Sequence, residues 1–431
     1  MAAAQRRVVI SGIGVLTSIG LDATSYWDSL MHGRSGIKPF QFFDVSTLPT
    51  RMAGQIPEFG AKNYVVKEQR KNLRVMARAI QLAVAAAQLA LDDGNVDKAR
   101  LDPTRFGVEF GAGLLPTELE EIGPASLASF HQDTGVVSER DWGEKGIEVI
   151  QPLWMLKYLP NMLACHVSIL HNAQGPNNSI TEGDVGGLLA LGEAFRIIRR
   201  NQADFFLVGG ADSKMNPLSQ VRQALFGFQS RRNDAPEKAC RPFDKQRDGL
   251  IIGEGASVLV VEELEHAIGR GAKIYAEVVG VGSAFGLKEK SATNLSGITR
   301  AARVAMQQGG IGVEDLDHVN AHGLGTQKGD ALEARCLHEL LGSARKAPPI
   351  LALKGYIGNL GAGSGLTELA ASVLALKHGQ SPGTLNCEEP DVPSPLTVIQ
   401  KPQPVTKPNV LKVGYNDLGQ CAAVVVRKWQ G

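Results

Sequence analysis

A chain of 431 residues, 43% hydrophobic and 21% charged, is long enough for two similar-sized halves around a large shared core. Its 45 basic residues against 44 acidic ones leave a formal charge of +1, which argues against a broad polyanion-binding surface and so against nucleic-acid binding as the main function. Cys165, Cys240, Cys336, Cys387 and Cys421 have neither metal-site nor disulfide spacing, so reduced thiols in a cytoplasm, with no bound metal, are expected.

The leading MAAAQRRVVI runs straight into a strand-like segment without a signal-peptide core, and no apolar stretch reaches about 18 residues, so no membrane span is expected. Residues 7–10 read as a buried strand. Gly12, Gly14 and Gly20 after it suggest a dinucleotide fingerprint, but Thr17 stands at the third glycine position, and the glycines are expected to turn the backbone beneath a helix. Residues 69–92 have the periodicity of one long, mostly buried helix that begins with basic residues. Strand 106–113 follows, then a polar, acid-rich surface excursion over 115–146 and a helix over 160–171.

The run ADFFLVGG at 203–210 is typical of a central strand covered on both faces. RPFDKQRDGLIIGEG, at 241–255, predicts a structural ion-pair network ahead of strand 256–262. Beyond it come helix 263–271 and strand 274–281, and then alternation begins again: helix 297–308, strand 318–320, helix 330–341, strand 350–353, helix 366–378, hairpin 410–428. Two comparable alternating halves, 1–262 and 263–431, make a doubled α/β architecture the economical reading.

Three segments carry chemistry. SITEGDVGGL at 179–188 has the strand-turn-helix form of a nucleophile elbow with Asp184 at its tip, ahead of a helix over 188–198. At a helix N-terminus the carboxylate is expected to be ionised, either as a simple helix cap or as a functional anion. His322 lies on the glycine-rich turn NAHGLGT directly after a strand, where functional groups gather in α/β sheets. Lys354 ends an apolar strand ahead of GYIGNLGAG, with Glu368 on the next helix as a possible partner.

Together VVISGIGVLTSIG, KEQRK, NMLACHVSILHNAQGP, ADFFLVGGAD, RPFDKQRDGLIIGEGA, VNAHGLGTQKGDALEA and the Lys354 loop resemble the β-ketoacyl-acyl-carrier-protein synthases over nearly the whole chain. The resemblance implies a thiolase fold, a duplicated α/β/α/β/α five-layered sandwich, used as a homodimer or as a heterodimer with an active ketosynthase. It implies no cofactor beyond the phosphopantetheine arm of an acyl carrier protein, which brings the substrate. It places Asp184 where the family has its acyl-accepting cysteine, keeps the first histidine as His322 and the lysine as Lys354, and puts Asn359 where the second histidine stands. The family's GFGGTN oxyanion and gating loop reads Asn416, Asp417, Leu418, Gly419, Gln420 and Cys421 here, and Cys421 is no substitute nucleophile. Lys67, Arg70, Lys71 and Arg232 match basic positions of the carrier-docking patch.

A carboxylate cannot replace a thiolate in acyl transfer, so ordinary condensation is expected to be lost. The implied function is a chain-length-factor-like partner subunit in fatty-acid or polyketide assembly. The alternative is a non-covalent enzyme on carrier-bound acyl thioesters, a malonyl decarboxylase or atypical condensing enzyme using Asp184, His322 and Asn359. A ketosynthase with one inactivating substitution fits the parallel changes at Asn359 and the 416–421 loop less well.

Overall fold

The computed structural model describes residues 5–286, 288–289, 292–293 and 296–431; the first four residues, part of the leading stretch read for a signal segment, lie outside them. Ten strands form one sheet: β1 (Val8–Leu16), β2 (Phe106–Ala112), β3 (Asn177–Ile180), β4 (Phe205–Asp212), β5 (Gly255–Glu263), β6 (Ala276–Phe285), β7 (Leu316–Asn320), β8 (Ile350–Leu351), β9 (Asn409–Tyr415) and β10 (Gln420–Lys428). Their spatial order is β8-β7-β9-β10-β6-β1-β5-β4-β2-β3.

That order contains a duplication. Each half arranges its five strands as third, second, fourth, fifth and first, counted along its own stretch of chain. Directions repeat too: β2 runs parallel to β3 and β4, as β7 does to β8 and β9, and the fourth, fifth and first strands of each half are antiparallel. The halves join through a short antiparallel contact between β1 and β6, Val8 to Ile10 against Val278 to Ala276.

Helices complete five layers. Arg78–Asp93 and Met162–His171 cover the outer face of the first half, Ser296–Gly309 and Gln327–Leu341 that of the second, and Gly186–Arg199 and Ser364–His378 lie between the sheets. Strand alternation feeds the layers: Phe106, Val108 and Phe110 pack outward with the first helices, while Val208, Leu259 and Val261 point to the middle. Every residue from Ser364 to Leu376 is buried, as a helix enclosed by two sheets requires. This is the thiolase fold that the resemblance implies.

Two expectations need correction. Gly20 closes a tight turn with Thr17 against the next helix, as expected, but Gly12 and Gly14 do not turn the chain; β1 runs through them to Leu16. They are needed because the backbone of helix Arg78–Asp93 rests on the strand: a Cβ at Gly14 would lie 2.0 Å from the Ala86 carbonyl oxygen. The helix expected over 69–92 is broken as well, into a 3₁₀ segment Lys67–Val75 with no buried residue and the α-helix Arg78–Asp93, separated by extended Met76 and Ala77. The first offers the core little beyond a partly buried Leu73, so packing leaves most of it outside. The ion network in the 241–255 block forms, Arg241 reaching Asp244 at 3.0 Å and Arg247 reaching Asp391 at 2.8 Å. Among the described residues, no helix is long and apolar enough to cross a membrane.

Candidate functional site

The elbow forms where β3 leaves the sheet edge. Gly183 takes φ +50°, a conformation open to glycine, and Asp184 follows in a 3₁₀ turn, Gly183–Val185, that leads into helix Gly186–Arg199. Neither helical segment has a side-chain cap bond at its N-terminus, so Asp184 is not the cap that its position allowed. Its carboxylate points across the interface between the halves, toward residues of the second one.

Asn359 Nδ2 donates to Asp184 Oδ2 at 3.0 Å. The orientation of that amide is set by a relay: the Leu360 N–H donates to Ser364 Oγ at 2.9 Å, leaving the hydroxyl hydrogen for Asn359 Oδ1 at 2.8 Å. His322 Nε2 lies 3.4 Å from the same Asp184 oxygen, an ion-pair distance rather than a well-aligned hydrogen bond. Asp184 keeps 18% of its side-chain surface open, and His322 1%.

The tautomer of His322 follows from its other neighbour. Lys354 Nζ lies 3.2 Å from Nδ1 and 2.7 Å from the His322 carbonyl oxygen, and an ammonium only donates. Nδ1 therefore accepts, and a neutral ring carries its hydrogen on Nε2, facing Asp184. Burial and the Lys354 charge push His322 down to about 4, against the opposing pull of Asp184, so the ring is neutral at pH 7. Burial alone raises the Asp184 carboxyl, yet His322, Lys214 and Lys354 outweigh it and hold that carboxyl well below the ordinary range.

Beneath this pair lies a fully buried ionic group. Lys354 reaches Glu368 Oε1 at 2.6 Å, and Lys412 contacts Glu368 Oε2. Burial raises the Glu368 carboxyl, but the two lysines lower it further, so it stays charged. The His322 turn is pinned by Glu333, which accepts from the N–H groups of His322 at 2.7 Å and Gly323 at 2.9 Å. Tyr415 sets its ring edge-on to His322, centroids 4.6 Å apart.

Asp184, His322, Lys354 and Asn359 thus meet in one place, and Glu368 is the partner of Lys354. The hairpin turn of residues 416–419 lies beside the elbow: Asn416 Nδ2 donates to the Glu182 carbonyl oxygen at 3.1 Å and to Glu182 Oε2 at 3.2 Å. Leu418 is 69% exposed and Asp417 is exposed, so neither is folded into the site. Gly419 has φ +101°, and its carbonyl oxygen accepts from the buried thiol of Cys421 at 3.5 Å; burial pushes that thiol up to about 12. Lys67, Arg70 and Lys71 are exposed on their 3₁₀ segment. Arg232 is half-buried, 3.4 Å from Asp248 and 2.6 Å from the Gln246 carbonyl oxygen.

Ser364, Glu333, Tyr415, Lys412 and the pair Asp212–Lys214, 3.8 Å apart, were missed in the sequence. Only Lys412, a charge inside the apolar run of β9, gave a visible signal.

Residues 5–267 match the sequence family described as "Beta-ketoacyl synthase, N-terminal domain", and residues 275–388 match "Beta-ketoacyl synthase, C-terminal domain". A 3-oxoacyl-[acyl-carrier-protein] synthase 2 from Vibrio cholerae serotype O1 is 35% identical over 391 residues, 90% of each chain. The solved ishigamide ketosynthase/chain length factor superposes with a TM-score of 0.85 at 28% identity, covering 99% of this chain and all of that one. A type II PKS ketosynthase solved in complex with its acyl-carrier protein (AntDE:AntF) superposes with a TM-score of 0.84 at 25% identity, again over 99% of this chain and all of that one. With both family domains and a relative matched along most of its length, the chain belongs to the β-ketoacyl synthase family.

Proposed function

We propose that this chain works in fatty-acid or polyketide biosynthesis as a ketosynthase-like protein that has lost cysteine-dependent condensation and serves as a chain-length-factor-like partner of an active ketosynthase. The observation that carries the reading is the Asp184 carboxylate at the elbow tip, 3.0 Å from Asn359 Nδ2 and 3.4 Å from His322 Nε2. Acyl transfer at this point needs a group that attacks a thioester and later leaves. A carboxylate is a poorer nucleophile than a thiolate, and the anhydride it would form hydrolyses readily. The two donors placed to polarise a thioester carbonyl both face the chain's own anion instead. Likeness to a ketosynthase/chain length factor structure supports the partner role.

The retained Lys354–His322 pair favours a second reading, a non-covalent enzyme in which Asp184 is a general base and His322 and Asn359 stabilise an enolate. It is the weaker one, because the same carboxylate accepts from Asn359 Nδ2, faces His322 Nε2 and repels a substrate carboxylate. An acyl carrier protein and its phosphopantetheine arm are the proposed carrier partner, steered by Lys67, Arg70, Lys71 and Arg232. We assign the two halves to 1–262 and 263–431, dividing the chain before the last residue of β5, Glu263.

Co-expression with an active type II ketosynthase tests the proposal. A one-to-one complex is expected, forming product from malonyl-carrier and acyl-carrier protein when both subunits are present. Carbon dioxide release or product from this chain alone contradicts it.

A further inference from the structure

A groove of about 260 Å³ lies between residues 98–106 and the carboxyl end of helix Met162–His171. Leu101, Pro103, Phe106 and Leu170 form its apolar wall, and Lys98 and His171 line it with them. We infer that this groove binds a small carboxylic acid with an apolar body, its carboxylate held by the Nε2 hydrogen of His171 and the charge of Lys98. β2 and β3 run parallel, Phe106 opens the one and the elbow follows the end of the other. The groove therefore sits at the opposite end of these strands from the elbow, and its occupancy is independent of the partner-subunit reading.

His171 is 7% exposed, and Lys98 Nζ lies 3.3 Å from its Nδ1. An ammonium only donates, so Nδ1 accepts and the neutral ring carries its hydrogen on Nε2. That nitrogen is buried and has no hydrogen-bond partner among the described residues. Burial, reinforced by the Lys98 charge, pushes His171 down to about 3, so the ring is neutral at pH 7 and keeps this one donor. A buried donor without an acceptor destabilises the structure, and a ligand oxygen that accepts from it relieves that cost.

Lys98 supplies the charge. Among the described residues its ammonium contacts the His171 ring and has no carboxylate within ion-pair distance. The nearby acids are committed to caps: Asp97 Oδ1 accepts from the Ala99 N–H at 3.1 Å, and Asp102 Oδ1 from the Thr104 N–H at 2.9 Å and Oγ1 at 2.7 Å. Helix Met162–His171 turns its negative end this way, but that end carries roughly half a charge, and the full charge of Lys98 outweighs it. An inorganic anion gains nothing from the apolar wall. A short alkyl chain laid against Leu101, Pro103, Phe106 and Leu170 leaves water as its head group is held.

The test is calorimetric titration of the full chain with three probes: sodium hexanoate, hexanamide, which has the same body without the charge, and sodium phosphate, which has charge without the body. Saturable binding of hexanoate is expected, with hexanamide and phosphate each weaker by about fivefold or more. Lys98→Met is expected to weaken hexanoate by about fivefold, and because Lys98 is exposed this variant does not disturb the core. His171→Gln, whose amide also donates, is expected to keep more of the binding than His171→Phe, which has no donor; the Lys98 variant and the three probes serve whether or not these two fold. Absence of saturable hexanoate binding overturns the inference, and so does an affinity that Lys98→Met leaves unchanged. Hexanamide binding as tightly as hexanoate removes the anion site. Phosphate binding as tightly as hexanoate removes the assignment to an acid with an apolar body.

Discussion

Replacing Asp184 by asparagine keeps the outline of the elbow and removes its charge. If the anion itself suppresses chemistry by occupying Asn359 Nδ2 and facing His322 Nε2, the neutral Asp184→Asn variant is expected to form no covalent acyl adduct but to bind an uncharged acyl-pantetheine more tightly, by about fivefold to tenfold, as measured by calorimetry. Asp184→Cys asks the reverse question. The donors are in place, so that variant is expected to take up an acyl group from acyl-carrier protein, seen as an added mass on the intact chain. Acid stability carries a further sign. His322 stays neutral in the fold down to about 4, whereas the same ring in the unfolded chain takes its proton near 6.5. As pH falls through that window the unfolded state binds a proton that the folded state refuses, so the His322 contribution destabilises the fold progressively, by up to about 3 kcal/mol. Urea unfolding at pH 7 and pH 4.5 is expected to show this loss, reduced in His322→Gln. At this scale the sequence was informative wherever a residue type was out of place: an acid at an elbow tip, a lysine ending an apolar strand. Ser364 and Tyr415 are ordinary in their local context, and only the fold carries them to Asn359 and His322.

Elements are legible where one face is apolar and obscure where glycine replaces that face. β1 shows the difference. Its glycines were read as a turn because glycine is common in turns, yet they keep a strand flat against the backbone of helix Arg78–Asp93. Gly14→Ala drives a methyl group to within 2.0 Å of the Ala86 carbonyl oxygen, with Ala90 N 2.7 Å away, both backbone atoms that cannot step aside. The expected cost is about 1–3 kcal/mol, read as a lowered denaturation midpoint. The buried ionic group makes a second prediction for the elements it joins. Lys354→Met leaves Glu368 with Lys412 alone and strips His322 Nδ1 of its donor. Removing one partner of a buried pair is expected to cost about 3–5 kcal/mol in urea unfolding. Periodicity told nothing of the break at Met76 and Ala77, because the basic residues before it satisfy helix spacing while offering no surface to bury.

Across the whole molecule, the alternation of strands and helices restarting after about residue 260 made the duplication readable. The matching strand orders of the two halves now give it geometric form. Which faces the duplication brings together was not readable in the same way. The site draws its elbow from the first half and His322, Lys354 and Asn359 from the second, and that meeting depends on sheet order, which no local pattern encodes. Only the resemblance to a known family joined those residues in advance. Its value at this scale is also what makes the departure at residue 184 meaningful, since the fold keeps the donors and changes what they hold. Intact-mass spectrometry of the unmodified protein, incubated with acyl-carrier protein and sampled over time, tests that claim most directly. The account predicts an unchanged mass throughout, alone and beside an active ketosynthase that itself becomes acylated. A stable acyl adduct on this chain contradicts it.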